Sequence, residues 1–487
     1  LTALLAVPVT ITLSTYTSSH RYLSGFTLNS TIVTDFGALP LNASLIATMA
    51  ELGFTQMTPI QARSLPAILQ GRDVLAQAKT GSGKTCAFGL GILQQLQVSH
   101  FRVQSLVLCP TRELADQVAS ELRKFARGIH NIKILTLCGG TPVGPQIGSL
   151  EHGAHIIVGT PGRVLEHLQQ GRLNLDELQQ WVLDEADRML EMGFTDALEQ
   201  IRSYLPKQRQ NLLFSATFPD AILALAKQTL QQPVEVKVED ADEHSHIQQR
   251  FYHITNAESR RQAVYQLLLQ YRPQSAVVFC NTKQETQDVA DLLRDKGFDA
   301  VALHGDLDQR QRDQALVAFA LKSAVVMVAT DVAARGLDID ALDLVLNYQL
   351  AFEAEAHVHR IGRTGRAGAK GIALSLVAAN DDMRLALLED RYGQLTFAEL
   401  PEVSDRTPLT ANMSCIRIEG GKKHKLRPGD ILGALTAGND ISGNDVGKIQ
   451  VHDIWSYVAV TRKLGNAAAT KLSKGKLKGK SFRAWVL

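Results

Sequence analysis

The sequence predicts an α/β fold: two parallel-sheet domains in tandem, followed by a small C-terminal βαββαβ domain. Three observations carry that expectation. Short apolar runs alternate with helix-length amphipathic stretches from about residue 36 to 240, the rhythm of βαβ units that build a parallel sheet covered on both faces. The same rhythm returns over 248–380. Beyond the aperiodic, proline-bearing stretch 399–412, strand-length and helix-length segments follow one another closely to the end of the chain.

In the first domain, taken as 33–240, strands are expected at Asp73–Ala78, Ser105–Cys109, Ile132–Leu137, His155–Gly159, Gln180–Asp184 and Asn211–Ser215. Helices such as Thr111–Arg127 and Asp196–Leu205 fall between them. The second domain, 241–398, repeats the order with strands at Ser275–Cys280, Ala300–His304, Ala324–Ala329, Leu342–Tyr348 and Gly371–Val377. Val238–Ser245 is acidic and poor in apolar residues, the composition of a linker; 399–412 reads as a second one. The last domain, 413–487, shows strand Cys415–Glu419, a helix near Pro428–Leu435, strands Val446–Val451 and Ser456–Thr461, helix Asn466–Ser473 and strand Ser481–Val486. That order matches the split βαβ plan of the RRM superfamily.

Composition removes several classes. The 487 residues are 45% hydrophobic and 21% charged, ordinary for globular domains, and no run approaches the roughly 18 apolar residues of a spanning helix. No membrane role is therefore expected. Five scattered cysteines exclude a disulfide framework or a CxxC zinc module and suit a reducing cytoplasm. Residues 1–32 carry no helical period and no basic start before Arg21, so a secretory signal is rejected; the segment is expected to be a disordered or misannotated extension. The formal charge is only +2, yet Ala411–Leu487 holds 14 Lys/Arg against 5 Asp/Glu. A basic module on an acidic body suits either a nucleic-acid anchor or a solvated lysine-rich end.

The strand Asp73–Ala78 runs into AKTGSGKT, residues 78–85, and then a helix. In such a loop Gly81 and Gly83, with Thr80 and Ser82 beside them, let backbone N–H groups turn toward phosphate oxygens. Lys84 brings a point charge to the β- and γ-phosphates of ATP, and Thr85 offers its hydroxyl to Mg²⁺. Ala78 stands where the strict pattern has glycine. A phosphate cradle needs a metal-binding acid at a neighbouring strand end, and Asp184 after Trp181–Leu183 fits that place. Glu185 is then positioned to orient and deprotonate the attacking water.

Asp184-Glu185-Ala186-Asp187 and the motifs around it resemble the DEAD-box ATP-dependent RNA helicases, with two RecA-like domains. Gly53-Phe54 with Thr58-Pro59-Ile60-Gln61 resembles that family's Q motif, although Met57 replaces its usual proline. PTRELA (110–115), Gly139-Gly140, TPGR (160–163), SAT (215–217), VVFCNT (277–282), HGDLDQRQR (304–312), ATDVAARGLD (329–338) and HRIGRTGR (359–366) complete the series in order. The resemblance implies that Gln61 reads the adenine edge, Phe54 stacks on its face and Asp338 contacts the ribose. Arg363 and Arg366 would be arginine fingers. Ser215, Thr217, His359 and Arg360 would couple the phosphate site to bound RNA. Pro110, Thr111, Arg112, Gly140, Thr160, Gly162 and Arg163, with Thr330 and Arg335, would hold sugar and phosphate, contacts that fix register without reading sequence. Lobe closure on ATP and RNA would gate hydrolysis.

The tail resembles the C-terminal RNA-binding domain of one bacterial branch of the family. That resemblance implies a hairpin of large-subunit ribosomal RNA, and pre-50S particles, as partners of a monomeric enzyme that unwinds short duplexes during 50S assembly. Lys422, Lys423 and Lys425 are the candidate contacts. The sheet offers only Trp455 and Tyr457 for base stacking, so recognition is expected through lysine-bearing loops rather than the sheet face. An ATP-gated clamp or protein displacer, and a ribosomal-RNA-binding assembly factor with a dispensable ATP site, are the alternatives. A DNA helicase fits the Q motif and RRM-like tail poorly. The histidines and cysteines share no metal-ligand spacing, so no zinc is expected.

Overall fold

The computed structural model describes residues 34–78, 81–238, 247–334, 342–365, 371–438 and 440–487. The expected extension 1–32 and nearly all of the acidic linker lie outside them. Contacts divide the chain into two units, one through Asp240 and one from Ala241 onward.

In the first unit, segments of four to six residues form β1 (Val74–Gln77), β2 (Ser105–Leu108), β3 (Ile134–Leu137), β4 (Ile156–Gly159), β5 (Gln180–Leu183), β6 (Gln210–Ser215) and β7 (Val234–Lys237). They make one parallel sheet in the order β3-β4-β2-β5-β6-β1-β7. Successive side chains alternate between two cores. Val107, Val158, Val182, Leu212 and Phe214 face one helical layer, while Leu106, Ile157, Leu183 and Leu213 face the other. Burial on both faces explains why these strands read as continuous apolar runs. Strand β7 was not expected from sequence: it is a short edge strand with only Val236 buried.

The second unit opens with β8 (Ile247–Ile254), β9 (Ala276–Cys280), β10 (Ala300–Leu303), β11 (Val326–Thr330), β12 (Leu344–Asn347) and β13 (Gly371–Ala378), a parallel sheet ordered β10-β11-β9-β12-β13-β8. Strand β8 also escaped the sequence reading, because the edge segment IQQRFYHI carries three polar residues in a row. A separate antiparallel sheet follows: β14 (Met413–Ile418), β15 (Val446–Val451), β16 (Ser456–Thr461) and β17 (Ala484–Val486), ordered β15-β16-β14-β17. Helices Pro428–Thr436 and Gly465–Lys474 cover one face through Ile431, Leu435, Ala468 and Leu472.

The stretch 399–412 departs from its expected role as a linker. It lies along the second sheet domain, with Leu409 and Ala411 buried in that core. Asp299 receives the Ala411 N–H at 2.7 Å and is paired with Arg462 of the small domain. Beside this anchor, Cys415, Tyr457 and Ala459 pack against Val317 of helix Gln309–Ala320 and Leu321, its C-cap. No helix among the described residues is long and apolar enough to cross a membrane.

Candidate functional site

In a parallel sheet every strand ends at the same edge, so loops far apart in sequence meet there. Across the first sheet that edge presents, in spatial order, Gly139-Gly140 after β3, TPGR after β4, PTRELA after β2, the DEAD residues after β5, SAT after β6 and the glycine-rich loop after β1. Topology thus sorts the sequence motifs into a phosphate-cradling end and a second group of loops, with Asp184 and Ser215 between them.

Helix Lys84–Gln95 starts at Gly83, whose φ of +94° belongs to the left-handed region. A side chain there would also collide with the Gln61 amide. The first turn of the helix therefore opens on a backbone concavity that suits phosphate. Lys84 is buried and its Nζ donates to Ala78 O at 2.8 Å, folding back across the loop. Gln61 is likewise held inside the protein. Its Oε1 accepts from Thr58 N at 2.9 Å and its Nε2 donates to Gly83 O at 3.1 Å, while Thr58 Oγ1 donates to Ser82 O at 2.8 Å. In this state the Gln61 amide fastens the Q motif to the glycine-rich loop. Met57 does more than replace a proline: it is buried and its N–H donates to Thr34 O at 2.6 Å, a bond proline lacks. Phe54 keeps an exposed ring, edge-on to Phe125 at 6.0 Å.

At the end of β5, Asp184 is only 3% exposed and its Oδ1 has no hydrogen-bond partner. Burial pushes its carboxyl up to about 7, against the pull of Lys84 and with a further push from Glu185. A buried carboxylate oxygen lacking a donor, on a sheet edge beside a phosphate cradle and within reach of the Lys84 charge, fits a hard oxygen-seeking cation. Glu185 is buried too, with φ +53° and ψ +53°, a costly conformation for a residue with a side chain. Asp187 accepts from Ala216 N, Thr217 N and Thr217 Oγ1 at 3.0–3.2 Å. Ser215 Oγ donates to Thr217 O at 2.8 Å. Burial would raise the Asp187 carboxyl, but the charges of Arg188 and Lys84 and the Thr217 hydrogen bonds hold it below its ordinary value. The DEAD and SAT segments are one hydrogen-bonded block.

Among the remaining loops, Thr111 caps helix Arg112–Phe125 by accepting from Leu114 N at 3.2 Å, next to buried Pro110. Arg112 approaches Asp116 at 3.6 Å. Thr160 precedes helix Pro161–Gln169, and Gly140 and Gly162 are exposed. The Arg163 guanidinium is bonded to Glu166, to Thr141 O and to Gln146 Oε1. Sequence reasoning did not single out Gln146, whose one signal is its spacing from the paired glycines.

In the second unit, Thr330 closes β11, Arg363 is buried and His359 is half-buried. Arg360 is 1% exposed and saturated: it donates to both carboxylate oxygens of Asp331 (2.6 and 2.7 Å), to Asn281 Oδ1 (2.7 Å), Gln349 O (2.7 Å) and Asn347 Oδ1 (3.3 Å). The positions of Thr80, Arg335, Asp338 and Arg366 lie outside the described residues. No cluster of His, Cys, Asp and Glu suited to a metal occurs among the described residues.

On the small domain Lys422, Lys423 and Lys425 are exposed on a turn fixed by Lys422 N and Lys423 N donating to His452 O and Asp453 O, both at 2.8 Å. Lys478 Nζ donates to Lys425 O at 2.8 Å, so the two lysine-bearing loops adjoin. Tyr457 is buried against helix Gln309–Ala320. Trp455 and Trp485 flank Arg417 with ring centroids 4.6 and 5.4 Å from its guanidinium. That cation went unremarked in the sequence, since a lone arginine in a strand has no pattern.

Comparison with known proteins gives the same parts. The chain matches the DEAD/DEAH box helicase family over 58–225, the helicase conserved C-terminal domain over 259–368 and the DbpA RNA binding domain over 415–486. It is 52% identical over 443 residues to the ATP-dependent RNA helicase DbpA of Escherichia coli (strain K12), covering 91% of this chain and 97% of that one. Identity to the ATP-dependent RNA helicase DbpA of Bacillus subtilis (strain 168) is 35% over 472 residues, with the same shares covered. Among solved structures, Saccharomyces cerevisiae Dbp5 bound to RNA and ADP BeF3 is similar, with TM-score 0.69 and 30% identity over 76% of this chain and 96% of that one. This chain belongs to the DEAD-box ATP-dependent RNA helicases, in the branch that carries the DbpA RNA-binding domain.

Proposed function

We propose that this RNA helicase separates short duplexes within large-subunit ribosomal RNA, on pre-50S particles in the cytoplasm, and acts as a monomer. The observation that carries the reading is the exposed lysine surface at 422–425 and 478, on a module anchored through Asp299 and Arg462 to the second sheet domain. Such a module tethers the catalytic domains to one RNA element, and its lysines attract backbone phosphate whatever the sequence. Covering of Tyr457 supports recognition through these loops rather than through the sheet.

In this reading the backbone of residues 80–83 cradles the phosphates and Lys84 leaves Ala78 O to meet the β- and γ-oxygens. Gln61 exchanges its bond to Gly83 O for the adenine edge, against which Phe54 stacks, and Asp338 meets the ribose. Asp184 and Thr85 would hold Mg²⁺, which when bound neutralises phosphate charge. Glu185 orients the water and takes its proton. Arg363 and Arg366 supply positive charge as the γ-phosphate departs. Asp187 holds Ser215 and Thr217, which carry the state of the phosphate site to the RNA loops; His359 and Arg360 do the same from the second sheet. Residues 110–112, Gly140, Thr160, Gly162 and Arg163, with Thr330 and Arg335, hold the RNA backbone.

The test is ATPase activity and strand separation measured with ribosomal RNA, with the same RNA lacking candidate hairpins, and with unrelated RNA. The proposal expects one hairpin deletion to lower stimulation to the level of unrelated RNA. Equal stimulation by all three leaves a helicase without a ribosomal target, and stimulation without strand separation makes it a clamp.

A further inference from the structure

The turn Cys138–Thr141 follows β3 and the segment Thr160–Arg163 follows the adjacent strand β4. One buried amide joins them. Gln146, on helix Val143–Glu151, is 9% exposed. Its Nε2 donates to Cys138 O at 2.9 Å and to Thr141 Oγ1 at 2.8 Å. Its Oε1 accepts from Arg163 Nη1 at 3.2 Å and lies 3.0 Å from His167 Nε2. The amide's donors and acceptor positions are all in use, and its orientation is forced, because a flip would set its NH₂ against the Arg163 donor. His167 is fully buried, which lowers its pKa; as the neutral ring it donates from Nε2. Arg163 completes the ring by donating from Nη1 and Nη2 to Thr141 O, at 3.3 Å each.

We infer that Gln146 is a positioning residue for RNA, holding the Gly139-Gly140 turn and the start of the TPGR helix at one fixed spacing. Gly139 and Gly162 both border open space, so a phosphate-bearing strand can approach the backbone on either side of the amide. A phosphate strand spans both loops, so an error in their spacing weakens the grip on RNA while leaving the nucleotide cradle, at the other end of the sheet edge, unaltered. Cys138 O, Arg163 and His167 share this one partner, and no shorter or apolar side chain serves all three. The inference rests on reading these loops as the RNA-facing ones.

The experiment uses the full chain with Gln146→Met, which keeps the length and removes every hydrogen bond. With a single-stranded uridine oligonucleotide, the RNA concentration for half-maximal ATPase stimulation should rise about tenfold, the scale of one or two lost buried hydrogen bonds. Turnover at saturating RNA should change by less than about twofold, and nucleotide affinity without RNA should not move. Thr141→Val removes both bonds of the hydroxyl at a half-buried site, the one it donates to Cys138 O and the one it accepts from Gln146 Nε2; it should shift the same RNA concentration by about threefold, and it decides the matter if Gln146→Met does not fold. An unchanged RNA requirement in a folded variant overturns the inference. So does a parallel loss of RNA and nucleotide affinity, the mark of an amide that only stabilises the domain. If the unaltered chain shows no RNA stimulation at all, it is the underlying reading of the loops that fails.

Discussion

Asp184, at a strand end in the first sheet domain, and Arg360, on helix Ala354–Ile361 of the second, are both buried motif residues, yet they are built in opposite ways. Arg360 reaches four partners and lies 5.3 Å from the Phe279 ring. Asp184 leaves one oxygen without a donor and has its carboxyl pushed up to about 7. A charge whose bonds are all satisfied by its own chain serves as a keystone. A buried charge kept short of partners costs stability, and its retention points to a ligand that completes it. Arg417 is an intermediate case, buried between two indoles with Nε and Nη1 lacking acceptors.

The comparison can be broken at each point. The largest effect is expected beside Asp184: Glu185→Gln should cut RNA-stimulated turnover by about 10²–10⁴-fold while leaving the melting temperature nearly unchanged, the signature of a lost general base. Arg360→Met should cost about 3–5 kcal/mol in denaturant unfolding of the second unit, because Asp331 is left without its cation. A cost below about 1 kcal/mol would remove Arg360 from its keystone role. Asp184 predicts a pH effect. With its carboxyl raised to about 7 in the folded state and ordinary, near 3.8, when unfolded, the folded state binds the extra proton between those values. Stability of the first unit should therefore fall as pH rises from about 4 to about 7, by an amount on the order of a few kcal/mol, and be flat above. Asp184→Asn, compared in the presence of a chelator, should abolish that slope.

Smaller effects belong to the C-terminal domain. Each of Lys422→Gln, Lys423→Gln and Lys425→Gln should reduce the salt dependence of RNA affinity by just under one unit in the log–log slope, about 0.7–0.9 for a lost phosphate contact, as read by fluorescence titration. Unchanged slopes in all three would move the RNA surface elsewhere on the domain. The smallest effect is expected at Arg417: Arg417→Met should change stability by less than about 1 kcal/mol, since it removes a buried cation that has no acidic partner to abandon. A loss as large as that of Arg360→Met would erase the distinction between the two arginines.

Much of the architecture was legible before any coordinates. Central strands such as β2, β4, β5 and β6 are buried on both faces and so announce themselves as apolar runs. Edge strands β7 and β8 are half polar and were invisible for the same reason. The glycine-rich loop and the Asp184-Glu185 pair were readable because phosphate and metal chemistry admits few residue types at each position, whereas SAT and TPGR were found only through resemblance to a family. Stretch 399–412 misled, since its two prolines and lack of period mark an irregular path but say nothing about whether that path is packed.

The chain's order of residues by itself determined which chemistry is present: a phosphate loop, a carboxylate pair, motif arginines and a lysine-rich end, each encoded locally by spacing. Only the tertiary structure decided how those groups are partnered. Gln61 closed on Gly83, Arg163 turned inward to Gln146, Asp184 left one oxygen bare and Tyr457 was covered by a neighbouring helix. Hydrogen-bond saturation and burial are sums over segments distant in the chain, and no local pattern reports them.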